Sequence, residues 1–119
     1  MAKTYALVVG AILLVVGVVG FMTHELFGLI TFHAAHNVIH LVTGAIGLWA
    51  GFSKNANAPK LFAQIFGAVY TLVAVIGFLG VVDLGPIKLG LNTAYNIIHL
   101  AVGGLGLLAG FTGAKAATA

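Results

Sequence analysis

The sequence predicts an all-α integral membrane protein, a bundle of four transmembrane helices built from two tandem two-helix repeats. Three observations lead to this fold class. Hydrophobic residues make up 61% of the 119 residues and charged residues only 6%, whereas soluble domains carry about 25% charged residues. Four apolar runs of helix-spanning length follow one another, and the second pair repeats the first. We therefore interpret residues 1–119 as a single transmembrane domain.

The four apolar runs define the predicted spans. They cover residues 5–22, 32–52, 61–82 and 91–111, each close to the ~20 residues that a helix needs to cross the hydrocarbon core of a bilayer. The first run is long for the apolar region of a signal peptide, and no small-residue cleavage site follows it, so we expect it to be retained. Pro59 precedes the third run and suits the first turn of a helix.

The lysines predict the orientation of the bundle. If all four runs cross the membrane, Lys3, Lys54, Lys60 and Lys115 lie on one side and Lys88 alone lies on the other. Positively charged residues accumulate in cytoplasmic segments. We therefore expect both termini to lie in the cytoplasm.

The second half of the chain repeats the first. Residues 37–52 and 96–111 are identical at 10 of 16 positions with an offset of 59, and residues 10–22 and 67–79 are identical at 6 of 13 positions with an offset of 57. Repeat A covers about residues 4–53 and repeat B about 61–112. Because each repeat holds two spans, both enter the membrane from the same side. The repeats are then related by a pseudo-two-fold axis along the membrane normal.

The composition excludes several classes of function. So few charges do not keep a monomer soluble, which argues against a soluble enzyme. Five Lys and two acidic residues are too few to follow nucleic-acid phosphates, so we expect no nucleic-acid partner. The chain has no Cys, which excludes thiolate metal sites and cysteine nucleophiles. Glu25 and Asp83 stand alone in different loops, so we expect no catalytic residues.

The second and fourth spans each carry one polar stripe. With about 100° of rotation per residue, their polar residues and glycines fall on one face of each helix. In the second span these are His33, His36, Asn37, His40, Gly44, Gly47 and Gly51, and in the fourth they are Asn92, Tyr95, Asn96, His99, Gly103, Gly106 and Gly110. Glycines let helices approach closely in lipid, and polar groups facing hydrocarbon are costly. We therefore expect both stripes to face the bundle interior.

Three functions are compatible with these buried polar groups, and the sequence leaves all three open. As interhelical hydrogen-bonding groups, they would belong to a structural or accessory subunit of a membrane assembly or homo-oligomer, which is our leading expectation. As ligands, His40 and His99 would bind haem, a chlorophyll-type pigment or a metal, with Asn37 and Asn96 in the surrounding shell. As the lining of a polar path, they would belong to a small channel or transporter.

A second group of histidines suggests a metal site on one helix. His33, His36 and His40 follow the i, i+3, i+7 spacing that places imidazoles on one helical face, so His33 and His36 are candidate metal ligands. Rings spaced along one helix tend to spread instead of converging. The fourth span retains only His99 of this trio, so two symmetric metal sites are not expected. The neighbouring glycines indicate tight packing, which leaves little room for haem.

The duplicated motif N-[VI]-I-H-L-x-x-G-x-x-G-L-x-A-G-F, at residues 37–52 and 96–111, resembles a bacterial membrane-protein family called domain of unknown function 4383. Its members are small, have four predicted spans and carry Asn-x-x-His-Leu-x-x-Gly in the second and fourth. The resemblance implies the fold stated above and a location in the bacterial inner membrane. It implies no activity, cofactor or partner, and neither His33 nor His36 belongs to the signature.

Overall fold

The computed structural model describes residues 1–112 apart from residues 27 and 29. Its elements are, in chain order, α1 (Ala2–Met22), β1 (Glu25–Leu26), β2 (Ile30–Thr31), α2 (Ala34–Phe52), α3 (Asn57–Phe78) and α4 (Thr93–Thr112). The two short strands pair antiparallel and form a hairpin between α1 and α2. Lys115, which contributes to the predicted orientation, lies outside the described residues.

Three of these helices, α1, α3 and α4, are long and apolar enough to cross a membrane. The prediction of an all-α protein with membrane-spanning helices is confirmed to that extent. The remaining helix, α2, has 19 residues, which is close to the length of a membrane span. Its polar residues His36, Asn37 and His40 lower its mean hydropathy, so α2 does not meet the same criterion.

The third helix differs most from its predicted span. α3 runs over Asn57–Phe78, whereas the apolar run covers residues 61–82. Pro59 lies in the first turn, where backbone N–H groups need no intrahelical partner. Beyond the last turn, Gly80 has a φ of 101°, in the region that favours glycine. The apolar residues 81–82 consequently belong to the following loop.

Two features near the ends of the helices were not predicted. The hairpin between α1 and α2 is extended by a hydrogen bond in which the backbone N–H of Phe32 donates to the carbonyl of His24, with 2.8 Å between N and O. The loop between α3 and α4 contains a bridge between Leu84 and Ile87. Backbone pairings this short leave no alternating pattern in a sequence, because that signal needs at least four residues.

The helices associate as two pairs. α1 packs along α2 and α3 packs along α4, each far more extensively than any other two helices touch. A Cβ atom placed on Gly10 would lie 2.8 Å from the backbone N of Leu48, and one on Gly67 would lie 2.5 Å from the backbone N of Leu107. At these crossings the backbones are so close that a side chain has no space.

Large apolar side chains cover the outside of the bundle, and aromatic rings occupy the space between the pairs. Trp49 is 69% exposed, on the side of α2 opposite the buried polar residues. Tyr5 packs against Phe62 and Phe66 with ring centroids 6.3 and 6.4 Å apart. Its hydroxyl donates a hydrogen bond to the carbonyl oxygen of Val102 at 2.8 Å. Tyr5 thereby connects α1 to both helices of the second pair.

Candidate histidine site

Five polar side chains of α2 and α4 are buried in the bundle. Their exposed fractions are 4% for His36, 2% for Asn37, 4% for His40, 4% for Asn96 and 3% for His99. They lie in the N-terminal halves of the two helices, next to the hairpin and the α3–α4 loop. Polar groups collected at one level of an otherwise apolar bundle mark this level as the candidate site.

Three of these side chains converge. His36, His40 and His99 each offer one ring nitrogen, and the three nitrogens lie within 4.8 Å of one another. The ring centroid of His36 is 4.2 Å from that of His40 and 5.9 Å from that of His99. We call these three residues the His cluster. Two of these rings come from successive turns of α2 and the third comes from α4, so the cluster joins the two helix pairs.

One member of the cluster is oriented by the backbone of the α3–α4 loop. Nδ1 of His36 lies 3.0 Å from the carbonyl oxygen of Leu89. Because a carbonyl can only accept, Nδ1 carries the proton and donates it, which leaves the lone pair of His36 on Nε2. Histidines that bind metals commonly donate their other ring N–H to a backbone carbonyl in this way.

The loop that presents this carbonyl is held by a carboxylate. The backbone N–H groups of Leu89 and Gly90 both donate to Oδ1 of Asp83, at 2.9 and 3.0 Å. The Nζ atom of Lys88 lies 3.7 Å from Oδ2. The N–H of Gly90 contributes most to lowering the pKa of Asp83, and the N–H of Leu89 and the charge of Lys88 add to it. An ionised carboxylate thus fixes the loop against His36.

Several buried polar atoms at the site have no hydrogen-bond partner among the described residues. They are Oδ1 of Asn37, Nδ1 of His40, the hydroxyl of Tyr70, Oδ1 of Asn96 and Nδ1 of His99. Buried polar groups in folded proteins are nearly always hydrogen-bonded, and each unsatisfied group costs about 1–3 kcal/mol. Nδ1 of His40 and Nδ1 of His99 therefore do not make the interhelical hydrogen bonds that a purely structural role predicts, which points to a ligand at the histidines.

The two asparagines have a different environment from the histidines. A Cβ atom on Gly20 of α1 would overlap Oδ1 of Asn37, and one on Gly77 of α3 would overlap Oδ1 of Asn96. Each asparagine therefore packs against the other helix of its own pair. The predicted pair His40 and His99 comes together with His36, whereas His33 immediately precedes α2 and is not part of the converging group.

Sequence analysis did not identify Tyr70, Leu89 or Asp83. The ring of Tyr70 meets that of His99 edge-on, with 4.9 Å between centroids. The repeat could have pointed to Tyr70. At the offset of 57, this polar aromatic residue occupies the position at which the first half has the aliphatic Leu13. Leu89 contacts His36 through its backbone carbonyl, which any residue type can provide. Asp83 holds this loop through backbone N–H groups, so no sequence motif marks either residue.

A cavity of about 430 Å³ lies beside the His cluster, between α1 and α4. His40, His99 and Tyr70 line one side of it, and aliphatic residues of α1 line the other. Its surface is almost entirely apolar, because the unpartnered polar atoms of these three side chains are buried away from it. We refer to it as the α1–α4 cavity.

Comparison with known proteins identifies one match. The family model described as Domain of unknown function (DUF4383) matches residues 3–112. No curated protein and no solved structure matches the chain.

Proposed function

The chain belongs to the DUF4383 family, and we propose that it binds a divalent transition-metal ion inside the helix bundle through the His cluster. One observation carries this proposal. Three buried imidazoles from two helices place their ligand nitrogens within 4.8 Å of one another. In an apolar interior, a metal ion is the partner that satisfies three converging lone pairs at once.

The arrangement needs little rearrangement to close on an ion. Ligand nitrogens around a tetrahedral Zn²⁺ with Zn–N bonds of about 2.0–2.1 Å lie about 3.4 Å apart. Rotation of the imidazoles brings nitrogens that are within 4.8 Å of one another to that separation. The hydrogen bond from His36 to Leu89 already sets the tautomer that His36 requires as a ligand.

The donor set favours certain ions. Three neutral imidazoles suit Zn²⁺, Cu²⁺, Ni²⁺ or Co²⁺ and do not suit Mg²⁺ or Ca²⁺, which prefer oxygen ligands. Three protein ligands on a tetrahedral ion leave a fourth position open for another molecule. The ring of His36 also occupies space beside His40, 4.2 Å away, where a macrocycle ligated by His40 and His99 would have to fit. This favours an ion over haem or a pigment.

The unpartnered histidine nitrogens favour metal binding over a purely structural role. A structural role would leave Nδ1 of His40 and Nδ1 of His99 hydrogen-bonded across helices, yet neither has a partner among the described residues. A polar conduction path is a weaker candidate, because the cavity that reaches these histidines is otherwise lined by aliphatic and aromatic side chains.

The proposal includes a topology. We infer that α2 is the fourth span, that the two helix pairs are tandem repeats, and that Lys3, Lys54 and Lys60 face the cytoplasm of a bacterial cell. The extensive packing of α2 along α1 and its length of about 28 Å at 1.5 Å per residue support this. The His cluster would then lie nearer the outer leaflet. We expect a reporter fused after Ala119 to be cytoplasmic, and an extracellular reporter would contradict the orientation.

Metal content provides the test. We expect the chain, purified in detergent, loaded with Zn²⁺ and desalted, to retain about one Zn²⁺ by elemental analysis. Replacing Zn²⁺ by Co²⁺ should produce the visible absorption bands of a tetrahedral site. His36→Ala, His40→Ala and His99→Ala should each lose the ion, whereas the matched control His33→Ala should keep it.

Two results would overturn the proposal. One is a correctly folded wild-type chain that retains no Zn²⁺, Cu²⁺ or Co²⁺. The other is equal loss of the ion in the His33→Ala control and the His cluster variants, because that would place the ligands elsewhere. Circular dichroism of each variant establishes that lost binding does not reflect lost folding.

A further inference from the structure

We infer that the groove between α2 and α3 binds an acyl chain of an anionic phospholipid, whose phosphate lies against Lys54 and Lys60. This α2–α3 groove has a volume of about 520 Å³, within the range of about 300–1,000 Å³ that is typical of small-molecule sites. The inference goes beyond metal binding, since no histidine is among the described residues that line the groove. It relies on the proposal that α2 lies in the membrane beside α3.

The α2–α3 groove opens on the outer surface of the bundle. α2 and α3 belong to different helix pairs and touch each other far less than either touches its own pair partner. Ala50, Phe62 and Phe66 are buried and form the floor of the groove. Because α3 has the length and composition of a membrane span, the rim of the groove faces hydrocarbon. The rim consists of large apolar side chains that are 49–69% exposed, namely Ile46, Trp49, Leu61, Ile65 and Val69.

The length of the groove matches one leaflet of a bilayer. Its apolar lining runs from Ile39 to Ala50 on α2 and from Ala58 to Tyr70 on α3. At 1.5 Å per residue these stretches are about 17 and 18 Å long, only a little more than half of the hydrocarbon core of about 30 Å. The acyl chain of a lipid in one leaflet fits this length, whereas a partner transmembrane helix would bury a surface along the full thickness.

One end of the groove is polar. Asn55 and Asn57 line it where the chain turns from α2 into α3. The turn is fixed by two hydrogen bonds, in which the N–H of Asn55 donates to Oγ of Ser53 at 3.1 Å and the N–H of Asn57 donates to Oδ1 of Asn55 at 2.9 Å. A groove that is polar at the end of the helices and apolar along the rest has the same polarity as a phospholipid.

Two lysines lie at this polar end. Lys54 immediately precedes Asn55 and Lys60 immediately precedes Leu61, and both of these neighbours line the groove. Neither lysine forms an ion pair within the part of the chain that the structure describes. The two acidic residues of the chain lie in the loops at the opposite ends of the helices. The lysine charges are therefore left for an anion, and lysines close to a membrane surface favour anionic lipids.

Trp49 provides the measurement. It is the only tryptophan of the chain and lines the groove, so its fluorescence reports which lipid occupies the groove. The full chain is reconstituted in phosphatidylcholine vesicles that contain increasing fractions of phosphatidylglycerol with brominated acyl chains, which quench tryptophan, and in parallel with brominated phosphatidylcholine. From the fractions at half-maximal quenching, we expect at least a tenfold preference for phosphatidylglycerol, the effect of about 1.4 kcal/mol.

Three charge variants locate the phosphate. Lys54→Gln and Lys60→Gln each remove one charge beside the groove and should each lower the preference about fivefold, since one lysine near an anionic surface contributes about 1 kcal/mol. Lys3→Gln is the matched control. It removes the same charge at the same end of the bundle, from an exposed position in the first turn of α1, and should leave the preference unchanged.

Two α2 variants locate the acyl chain. Thr43→Phe places a ring in the groove that Thr43 lines and should reduce the preference to near one. Val42→Phe adds the same side chain at the next position, which is 53% exposed and is not among the described residues that line the groove, and should retain the preference. Neither residue belongs to the His cluster, so both variants should retain Zn²⁺.

The outcomes separate this inference from the metal site. Equal quenching of the wild type by the two brominated lipids would overturn the inference. Equal loss of preference in Lys3→Gln and the two variants beside the groove would do the same, because the surface charge as a whole would then attract the lipid. If neither lipid quenches Trp49, another helix covers the groove and the inference fails. Zn²⁺ retention is measured separately on the same proteins, so a lipid preference in a chain that retains no Zn²⁺ supports the groove and overturns only the metal site.

Discussion

The α1–α4 cavity differs from the groove between α2 and α3 in the side chains that line it. At the offset of 57 between the two halves, Val9 and Leu13 of α1 match Phe66 and Tyr70 of α3. The aliphatic pair lies beside the α1–α4 cavity, which reaches His40 and His99. The aromatic pair lines a groove of about 520 Å³ between α2 and α3, whose described lining contains no histidine.

The two spaces have similar volumes and differ in the side chains that form their walls. In the α2–α3 groove the rings of Phe62 and Phe66 stack with centroids 5.0 Å apart, and those of Phe66 and Tyr70 lie 4.0 Å apart. Aromatic rings therefore form the α3 wall of this groove, whereas aliphatic side chains form the α1 wall of the α1–α4 cavity. The same comparison explains why the His cluster has three members, since His36 of α2 stands where α4 has Tyr95 at the offset of 59. A few substitutions in two similar helix pairs are enough to give one crevice an aliphatic wall and the other an aromatic wall.

The comparison assumes that α1 packs against α2 as closely as α3 packs against α4. Substitutions of the glycines at the two crossings test this assumption and should have the largest effect. A Cβ on Gly10 or Gly67 would lie within 3.0 Å of backbone atoms of the partner helix. We expect Gly10→Ala and Gly67→Ala each to destabilise the protein by about 1–3 kcal/mol, the usual cost of overpacking. Thermal unfolding in detergent measures this cost.

Gly104 provides the control for these two changes. A Cβ there would meet nothing within 4 Å, so Gly104→Ala should be neutral or stabilising by about 1 kcal/mol, through helix propensity. If only one of Gly10→Ala and Gly67→Ala is costly, the two pairs do not pack alike and the comparison fails.

Exchanging one wall residue gives the next largest effect. Leu13→Tyr places in α1 the residue that α3 has at the matching position, and the larger ring extends into the α1–α4 cavity that Leu13 lines. We expect this partial filling of an apolar cavity to stabilise the protein by about 1 kcal/mol, measured by thermal unfolding in detergent. Val8→Tyr, at an exposed position of the same helix, serves as the control, and equal changes in both variants would refute the packing explanation.

Restoring the symmetry of the His cluster sharpens the comparison further. Tyr95→His adds to α4 the imidazole that α2 has at position 36. The ring of Tyr95 lies 5.0 Å from that of His36 and 5.5 Å from that of His99, so an imidazole there would lie beside the proposed metal site. We expect Zn²⁺ to bind roughly tenfold more tightly, as measured by competition with a chelating dye. Weaker binding would mean that the Tyr95 ring supports the existing site.

The smallest effect concerns the α3–α4 loop, whose Leu89 carbonyl accepts the hydrogen bond from His36. Because the folded protein lowers the pKa of Asp83, its carboxylate contributes stability above the unfolded pKa, near 4. That contribution is lost as the pH falls through the folded pKa. We expect Asp83→Asn to lower the melting temperature at pH 7, and the difference from wild type to vanish in strong acid. A difference independent of pH would show that the carboxylate charge is not what holds the loop.

The sequence by itself determined the class of protein and the interior position of its polar residues. The scarcity of charge and four apolar runs predict membrane helices, and three helices meet that criterion. The cost of placing Asn37, His40 or their counterparts in hydrocarbon predicts an interior position, and these side chains are buried. Both inferences depend on composition and on periodicity along one helix, which are local properties of the chain.

The tertiary structure alone decided which histidines meet. His33, His36 and His40 share a face by spacing, yet the converging partner of His36 and His40 is His99, which lies 59 residues beyond His40. Convergence depends on how closely α2 approaches α4 and on the rotation of each ring. The carbonyl of Leu89, 53 residues beyond His36, reaches it through the path of a loop. Spacing along one helix does not encode these quantities, because they arise from the packing of separate helices.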